Sequence, residues 1–251
     1  MFTKHYKLLI FLIIILVILI TFSFNNNSTF NNQIVLLKDN QTKLICPFGP
    51  PDVVCDSIHL YGSWEEHLQK DIFEKYVKKG DNVIDGGAFI GSHTVKLSQL
   101  VGDSGKVYAF EADPITFEVL EKNIHLNNCK NVILFNKGIG DKNGYINIIN
   151  KDHIKTNRGH TSWDYVGDSS NEAVEVITID SLNLPKISFM KLDVEGMEPN
   201  VFIGMANTIK KYKPIILFEA WKDKVENTKR TLLNINKYNI KNVISDDYLA
   251  F

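Results

Sequence analysis

Charge of either sign is not in excess in this chain. Lys and Arg number 28 against 29 Asp and Glu, a formal net charge of -1. That balance excludes the basic footprint that nucleic-acid binding requires. Lys78-Lys79 and Lys210-Lys211 read as solvated helix ends. Cysteine is scarce, three residues in 251, with no CxxC and no nearby His pair, so no zinc signature is present. Cys46 and Cys55 flank a Pro/Gly-rich stretch; they can pair in an oxidising compartment and stay free thiols in a reducing one. Cys129 stands alone. No internal repeat is found.

Against these absences stands one long apolar run, residues 8–24, broken only by Thr21 and Ser23 and preceded by Lys4, His5 and Lys7. Seventeen helical residues span about 25 Å, the short end for a membrane crossing. Two readings fit: an uncleaved signal anchor with its basic end in the cytosol, and a cleaved signal peptide with Thr21-Phe22-Ser23 as the cleavage site. The length of the run favours the anchor. Residues 25–59 read as a polar stem or linker, and 60–251 as the folded domain. Sequons at Asn26, Asn27 and Asn40 fall in the stem and agree with a lumenal or extracellular domain, or a secreted one if the segment is cleaved.

The most informative stretch is Val83-Ile84-Asp85-Gly86-Gly87-Ala88-Phe89-Ile90-Gly91. An apolar strand ends in an acid, then a small-residue turn, then a helix, a layout that presents bare backbone and a helix N-terminus to a nucleotide-like cofactor. About 20 residues on, the strand Val107-Tyr108-Ala109-Phe110 ends in Glu111, where a ribose diol is gripped. Ala88 stands at the third glycine of the dinucleotide fingerprint. An acid beside the loop repels a pyrophosphate and attracts a sulfonium and an amine. S-adenosylmethionine carries both, so charge prefers it over NAD.

Further along, strands alternate with helices, as in a mostly parallel sheet covered on both faces. Ser63 with Glu66 resembles a capping box opening a helix that Gly80 ends. Asp113-Pro114 marks an N-cap with Pro at N1. Asp141-Lys142-Asn143-Gly144 reads as a hairpin turn with 145–149 as return strand. Residues 150–172 read as a long loop over the site. One helix is expected over 200–212. Two last strands, 242–245 and 247–251, joined by a tight turn, require one antiparallel strand.

With these features in view, the chain resembles the FkbM-like family of S-adenosylmethionine-dependent methyltransferases. The matching stretches are VIDGGAFIGSHTVKLSQL, KVYAFEADPITFEVLEKNIHLNN, FNKGIGDKNG, VITIDSL, ISFMKLDVEGMEPNVFIGM and IILFEAW, in order over residues 60–251. Phe89 stands where the family pattern often has Asn. The resemblance implies a class I methyltransferase (Rossmann-like) α/β fold: seven strands, helices on both faces, only the last strand antiparallel. It implies a cofactor site in which Asp85, Gly86, Gly87, Ala88 and Gly91 line the methionine part, Glu111 holds the ribose, and Asn136 and Lys137 lie near the adenine. Asp193, at the C-terminal end of its strand, where ligands of open α/β sheets gather, faces the transferring methyl.

Lys191 and Asp193 share one strand face by period two. With Glu195 and Glu198 they can supply a general base for a hydroxyl acceptor, hold a divalent metal, or cap the next helix and pair among themselves; no metal ligand set is assigned. Glu219 carries the same ambiguity. His160 and His153, with Asn157, Arg158 and Ser162, stand in the long loop as acceptor-facing candidates. Trp163 and Trp221 suit either a flat wall for a sugar ring or core packing, and His93 reads as packing. The expected function is a membrane-anchored O-methyltransferase acting on a hydroxyl of a glycan, glycolipid or small molecule. The alternatives are a non-catalytic binding protein retaining the fold, and a nicotinamide-dependent oxidoreductase.

Overall fold

The computed structural model describes residues 33–48, 52–148, 163–166 and 173–251. It opens with a hairpin, β1 (Ile34–Leu36) and β2 (Lys43–Ile45), and a helix, α1 (Val53–Tyr61). Asp52 caps α1 by accepting from the Cys55 amide at 2.9 Å, and Gly62 ends it at φ 64. The stem reading of 25–59 is corrected for this described part. Leu37, Leu44, Cys46, Cys55 and Ile58 are buried in one cluster with Leu120 and Ile124. Asn123 ties the hairpin down, accepting from the Ile45 amide at 2.7 Å and donating to the Ile45 and Ile90 carbonyls at 3.1 and 2.8 Å. Strands of three residues are too short to show a period of two, so the sequence pattern missed them. Cys46 and Cys55 are free, fully buried thiols. Contact with the Cys46 thiol, together with burial, holds Cys55 far above the ordinary thiol range.

The helix α2 runs over 66–76, α-helical at Glu66–Leu68 and Glu74–Tyr76 with a π turn at Gln69–Phe73 between them. The Ser63 capping box does not form: Glu65 precedes the helix in the left-handed region at φ 44 and makes no side-chain cap. The Ser63 carbonyl instead accepts from Ser57 Oγ at 2.9 Å. Next come β3 (Asn82–Gly86), α3 (Ser92–Val101), β4 (Lys106–Phe110), α4 (Pro114–Leu126) and β5 (Val132–Phe135). As expected, α4 starts with an Asp113 side-chain cap and Pro in its first turn.

A second, four-stranded sheet follows from β6 (Gly138–Ile139), β7 (Gly144–Ile148), β8 (Trp163–Val166) and β9 (Val174–Ile177), in the order β6-β9-β7-β8. Two expectations change here. The turn 141–144 does not close a hairpin, because β9 lies between the strands it joins, parallel to β6 and antiparallel to β7. Burying Val174 and Val176 beside Ile146 is a long-range gain that turn chemistry cannot signal. Part of the expected 150–172 loop is the strand β8, paired with β7. His153, Asn157, Arg158, His160 and Ser162 lie outside the described residues.

The chain then alternates through β10 (Phe189–Leu192), α5 (Glu198–Gly204), α6 (Ala206–Tyr212), β11 (Ile215–Glu219), α7 (Val225–Ile235), β12 (Ile240–Ile244) and β13 (Asp247–Ala250). The single helix expected over 200–212 is two. Asp180 accepts from the Asn207 and Thr208 amides at 2.8 Å each, satisfying the start of α6 from outside.

The main sheet has the order β12-β13-β11-β10-β3-β4-β5. β3, β4, β5, β10 and β11 are parallel, and β13 is antiparallel to both its neighbours. This is the class I methyltransferase arrangement. Alternation along β4 shows how both faces are covered: Tyr108 and Phe110 join the core under α5, α6 and α7, while Val107 packs with Leu97 and Val101 of α3 and Phe73 of α2. Among the described residues no helix is long and apolar enough to cross a membrane; the predicted anchor, 1–24, lies outside them.

Candidate active site

Strands β3, β4, β5, β10 and β11 end at one edge, and the loops leaving them help wall a cavity of about 360 Å³. At its β4–β5 end stand Glu111, Ala112, Asp113, Lys137, Gly138 and Ile146, and at its β10–β11 end Trp64, Glu65, His93, Asp193, Glu195 and Glu219. Gly87, Ala88 and Phe89 lie between.

Glu111 does more than end a strand. Its two carboxylate oxygens accept from the Phe89 amide at 2.8 Å and the Asp113 amide at 2.9 Å. One acid thus pins the glycine loop and the start of α4, keeping further lone pairs for a ligand hydroxyl. Burial raises Glu111 to about 7, against the pull of those amides. Phe89 sits at φ 50, a conformation in which Asn is enriched, so a backbone preference stands at the position where Phe89 departs from the family pattern. Asn136 does not line the cavity; it donates to the Glu111 and Ala112 carbonyls at 2.9 and 3.2 Å. Lys137 lines the wall and pairs with Glu175.

The glycines serve the fold more than the ligand. Gly87 and Gly91 take φ values of 76 and 90. A Cβ on Gly87 would run into the Asp193 carbonyl, and one on Gly91 would meet Leu120 at 2.7 Å. Gly86 and Gly91 lie beneath the cavity wall, and Asp85 is fully buried below it. Asp85 Oδ2 accepts from Thr94 Oγ1 at 2.6 Å, while Oδ1 has no partner.

The β10–β11 end is a charge cluster around one ammonium, that of Lys191. Register sets Lys191 beside Asp85 on the neighbouring strand. Its Nζ donates to the Gly87 carbonyl at 3.0 Å and to Asp193 Oδ2 at 3.1 Å. Burial lowers the lysine, but Asp193, Asp85 and Glu65 outweigh it and hold Lys191 firmly charged. The carboxyls pay the desolvation cost instead. Burial, with Asp193 and Glu219 nearby, pushes Glu195 up to about 9. Burial and Asp193 push Glu219 up to about 8 and Asp247 up to about 6. Glu198, raised to about 7 by burial, accepts from the Val194 and Gly196 amides at 3.0 and 3.3 Å, which braces the β10 loop and does not cap the helix that follows. Trp221 is not in the wall; Lys224 lies 4.7 Å over its ring. Among the described residues no group of His, Cys, Asp and Glu has metal-site geometry. The structure thus gathers Gly87, Ala88, Glu111, Lys137, Asp193 and Glu195 into one cavity with Lys191 at its floor. Sequence reasoning missed Trp64 and Glu65.

Comparison with known proteins agrees with this geometry. Residues 85–239 match the Methyltransferase FkbM domain. The chain belongs to the FkbM family of S-adenosylmethionine-dependent methyltransferases. A curated relative from Saccharolobus solfataricus, described as a probable cobalt-precorrin-6B C(15)-methyltransferase (decarboxylating), is 28% identical over 150 residues, covering 51% of this chain and 74% of its own. Among solved structures, methyltransferase FkbM from Methylobacillus flagellatus KT superposes with a TM-score of 0.53 at 18% identity over 68% of this chain. The match spans 43% of that protein, less than half its length. Fibrillarin from Aeropyrum pernix, solved with natively bound S-adenosyl-L-methionine, gives a TM-score of 0.43 at 15% identity, covering 73% of this chain and 70% of its own.

The pocket of this FkbM methyltransferase fits its cofactor. The carboxyls that line it, among them Glu65, Glu111, Asp193, Glu195 and Glu219, with buried Asp85 behind the glycine loop, suit a ligand that brings a sulfonium and an ammonium. Without that ligand the cluster is poised to lose stability with pH. Seven carboxyls, Asp85, Glu65, Glu111, Glu195, Glu198, Glu219 and Asp247, bind their protons more tightly folded than unfolded. Their contribution is complete below the ordinary carboxyl range and is lost as pH rises through the folded values, about 6 to about 9 where they are set. Buried His93, held well below 6.5 by burial, Lys191 and His67, opposes this on the acid side, as do Asp39, lowered against burial by its bond to Thr42, and Glu66, lowered by Lys70. Thermal denaturation of the cofactor-free protein should show the melting temperature falling from about pH 5 to about pH 8. E195Q with E219Q should flatten that fall; an unchanged slope in the double variant would contradict the assignment.

Proposed function

We propose that the protein transfers a methyl group from S-adenosylmethionine to a hydroxyl oxygen of a neutral acceptor, a glycan, glycolipid or small molecule. The observation that carries this reading is the β10–β11 end of the cavity: Glu65, Asp193, Glu195 and Glu219 line it, while Lys191, the one lysine there among the described residues, is already bound to Gly87 and Asp193. Burial already drives several of these carboxyls to hold protons, and a phosphate or carboxylate brought beside Asp193 would add to that cost, so the wall favours an uncharged hydroxyl as the acceptor. Several carboxyls raised toward neutrality can take its proton. Bound at the loop edge, S-adenosylmethionine supplies an electrophilic methyl on sulfur. Glu111 would hold its ribose, Ala88 and the Gly87 backbone its methionine part, and Lys137 and the Asn136 segment its adenine side. Asp193, fixed by Lys191, would orient the acceptor, with Glu195 beside it and His160 of the 150–172 segment as a further acceptor contact.

The apolar run 8–24 supports anchoring to a membrane, and the sequons support a lumenal or extracellular domain. Asn40 is exposed, at φ 56 in the turn between β1 and β2.

Calorimetry with S-adenosylmethionine tests the cofactor assignment. The full chain should bind, and E111Q should bind roughly tenfold or more weakly, the loss of a charge-assisted hydrogen bond. Equal affinity in a folded E111Q would remove Glu111 from the site. Protease treatment of sealed vesicles carrying a C-terminally tagged chain tests the topology. A protected tag is expected, and digestion would contradict the lumenal orientation.

A further inference from the structure

Glu65 and His93 stand together at the β10–β11 end of the cavity. Their surroundings are unusual. Glu65 is one of three non-glycine residues in this cavity wall with positive φ, beside Phe89 and Glu195. A left-handed backbone is costly for such a residue and persists where the surroundings enforce it. It gains no helix cap from that conformation; its carboxyl is turned into the cavity. His93, in the first turn of α3, is 4% exposed, lines the same cavity, and its Nε2 has no hydrogen-bond partner. An orphaned buried ring nitrogen costs free energy unless a ligand or a partner uses it. Glu65 Oε2 lies 3.5 Å from it, just beyond hydrogen-bond geometry. Phe73, at the end of the π turn in α2, holds the imidazole edge-on with centroids 5.2 Å apart. The irregular turn of α2 therefore braces the ring that faces Glu65.

We propose that Glu65 is the base that takes the acceptor's proton, with His93 as the residue that positions it. The inference rests on the hydroxyl-methylation reading and names the group that reading leaves open. The acceptor oxygen forms a bond to the methyl carbon as the carbon–sulfur bond breaks. The sulfonium becomes the neutral thioether of S-adenosylhomocysteine, and the hydroxyl proton passes to the Glu65 carboxylate. Asp193 is less suited, since one of its oxygens is held by Lys191. Glu65 is instead hydrogen-bonded to the neutral Trp64 side chain, and among the described residues no ammonium is paired with it. The groups that face it are Lys191 of β10, Asp193 in the loop after it, Asp247 of β13, His93 of α3 and the adjoining Trp64. Burial raises Glu65 to about 7, with Lys191 opposing and Asp247 adding, a value matched to proton transfer near neutral pH. His93, kept neutral, makes no fixed ion pair that would hold the carboxylate back.

The test uses the full chain with methyl-labelled S-adenosylmethionine and a glycan and lipid extract of the producing cells, following label transfer and S-adenosylhomocysteine release. E65Q should lose about 100-fold or more in transfer rate, with calorimetric cofactor affinity within about threefold of the parent. The acid limb of the pH–rate profile near 7 should disappear with it. H93N should lose less and shift that limb. Independently of turnover, ¹³C NMR of side-chain-labelled glutamate should show a carboxyl resonance titrating near 7 that is absent in E65Q and displaced in H93N. E65Q transferring at the parent rate would overturn the role of Glu65 alone. A parent chain that binds cofactor and methylates no hydroxyl would overturn the acceptor reading and this inference with it. A parent that binds no cofactor would instead overturn the cofactor assignment.

Discussion

Lys191 is the interaction on which the site depends. It is buried at the sheet edge and charged, and it adds a side-chain tie between the loops of two paired strands, whose backbones already meet through the Asp193 amide and the Gly86 carbonyl at 3.0 Å: its Nζ binds the Gly87 carbonyl from the β3 loop and Asp193 from the β10 loop. The backbones cross so closely that only glycine fits at 87. One cation then faces a set of carboxyls it cannot all neutralise. The remainder meet the cost of burial by holding protons, and a pocket results that gains most from a cationic ligand.

Much of this was legible in the sequence because it follows from local rules. The strand–glycine–helix layout located the cofactor edge, the spacing to Glu111 located the second loop, and period two put Lys191 and Asp193 on one face. The antiparallel last strand followed from a tight turn between two short strands. The illegible parts depend on contacts far apart in the chain. Glu65 looked like part of a capping box because Ser63 precedes it by two residues; its left-handed backbone and its approach to His93 of α3 bring together residues far apart in the chain. His93 looked like packing because nothing local places an acid beside it. The insertion of β9 between β6 and β7 reversed a sound hairpin signal. The hairpin β1–β2 offered too few residues for any pattern, and its anchor, Asn123, lies on a helix nearly eighty residues away.

The two ends of the cavity divide the work. The β4–β5 end, built on Glu111 and the backbone it holds, gives a fixed seat in which a single carboxylate organises two loops. The β10–β11 end is built from α2, α3, the β10 loop and the end of β11, so its outer wall can vary while the Glu111 seat stays fixed. That separation is a physical reason why one cofactor fold can serve different acceptors.

The central claim is that the surplus of protonated carboxyls around Lys191 is the receptor for a cationic cofactor. Calorimetry of S-adenosylmethionine binding near neutral pH, repeated in buffers of different ionisation enthalpy, measures it directly. A sulfonium and an ammonium entering the pocket lower the carboxyl pKa values, so binding should release protons to the buffer. Binding with no net proton release, or with uptake, would contradict it.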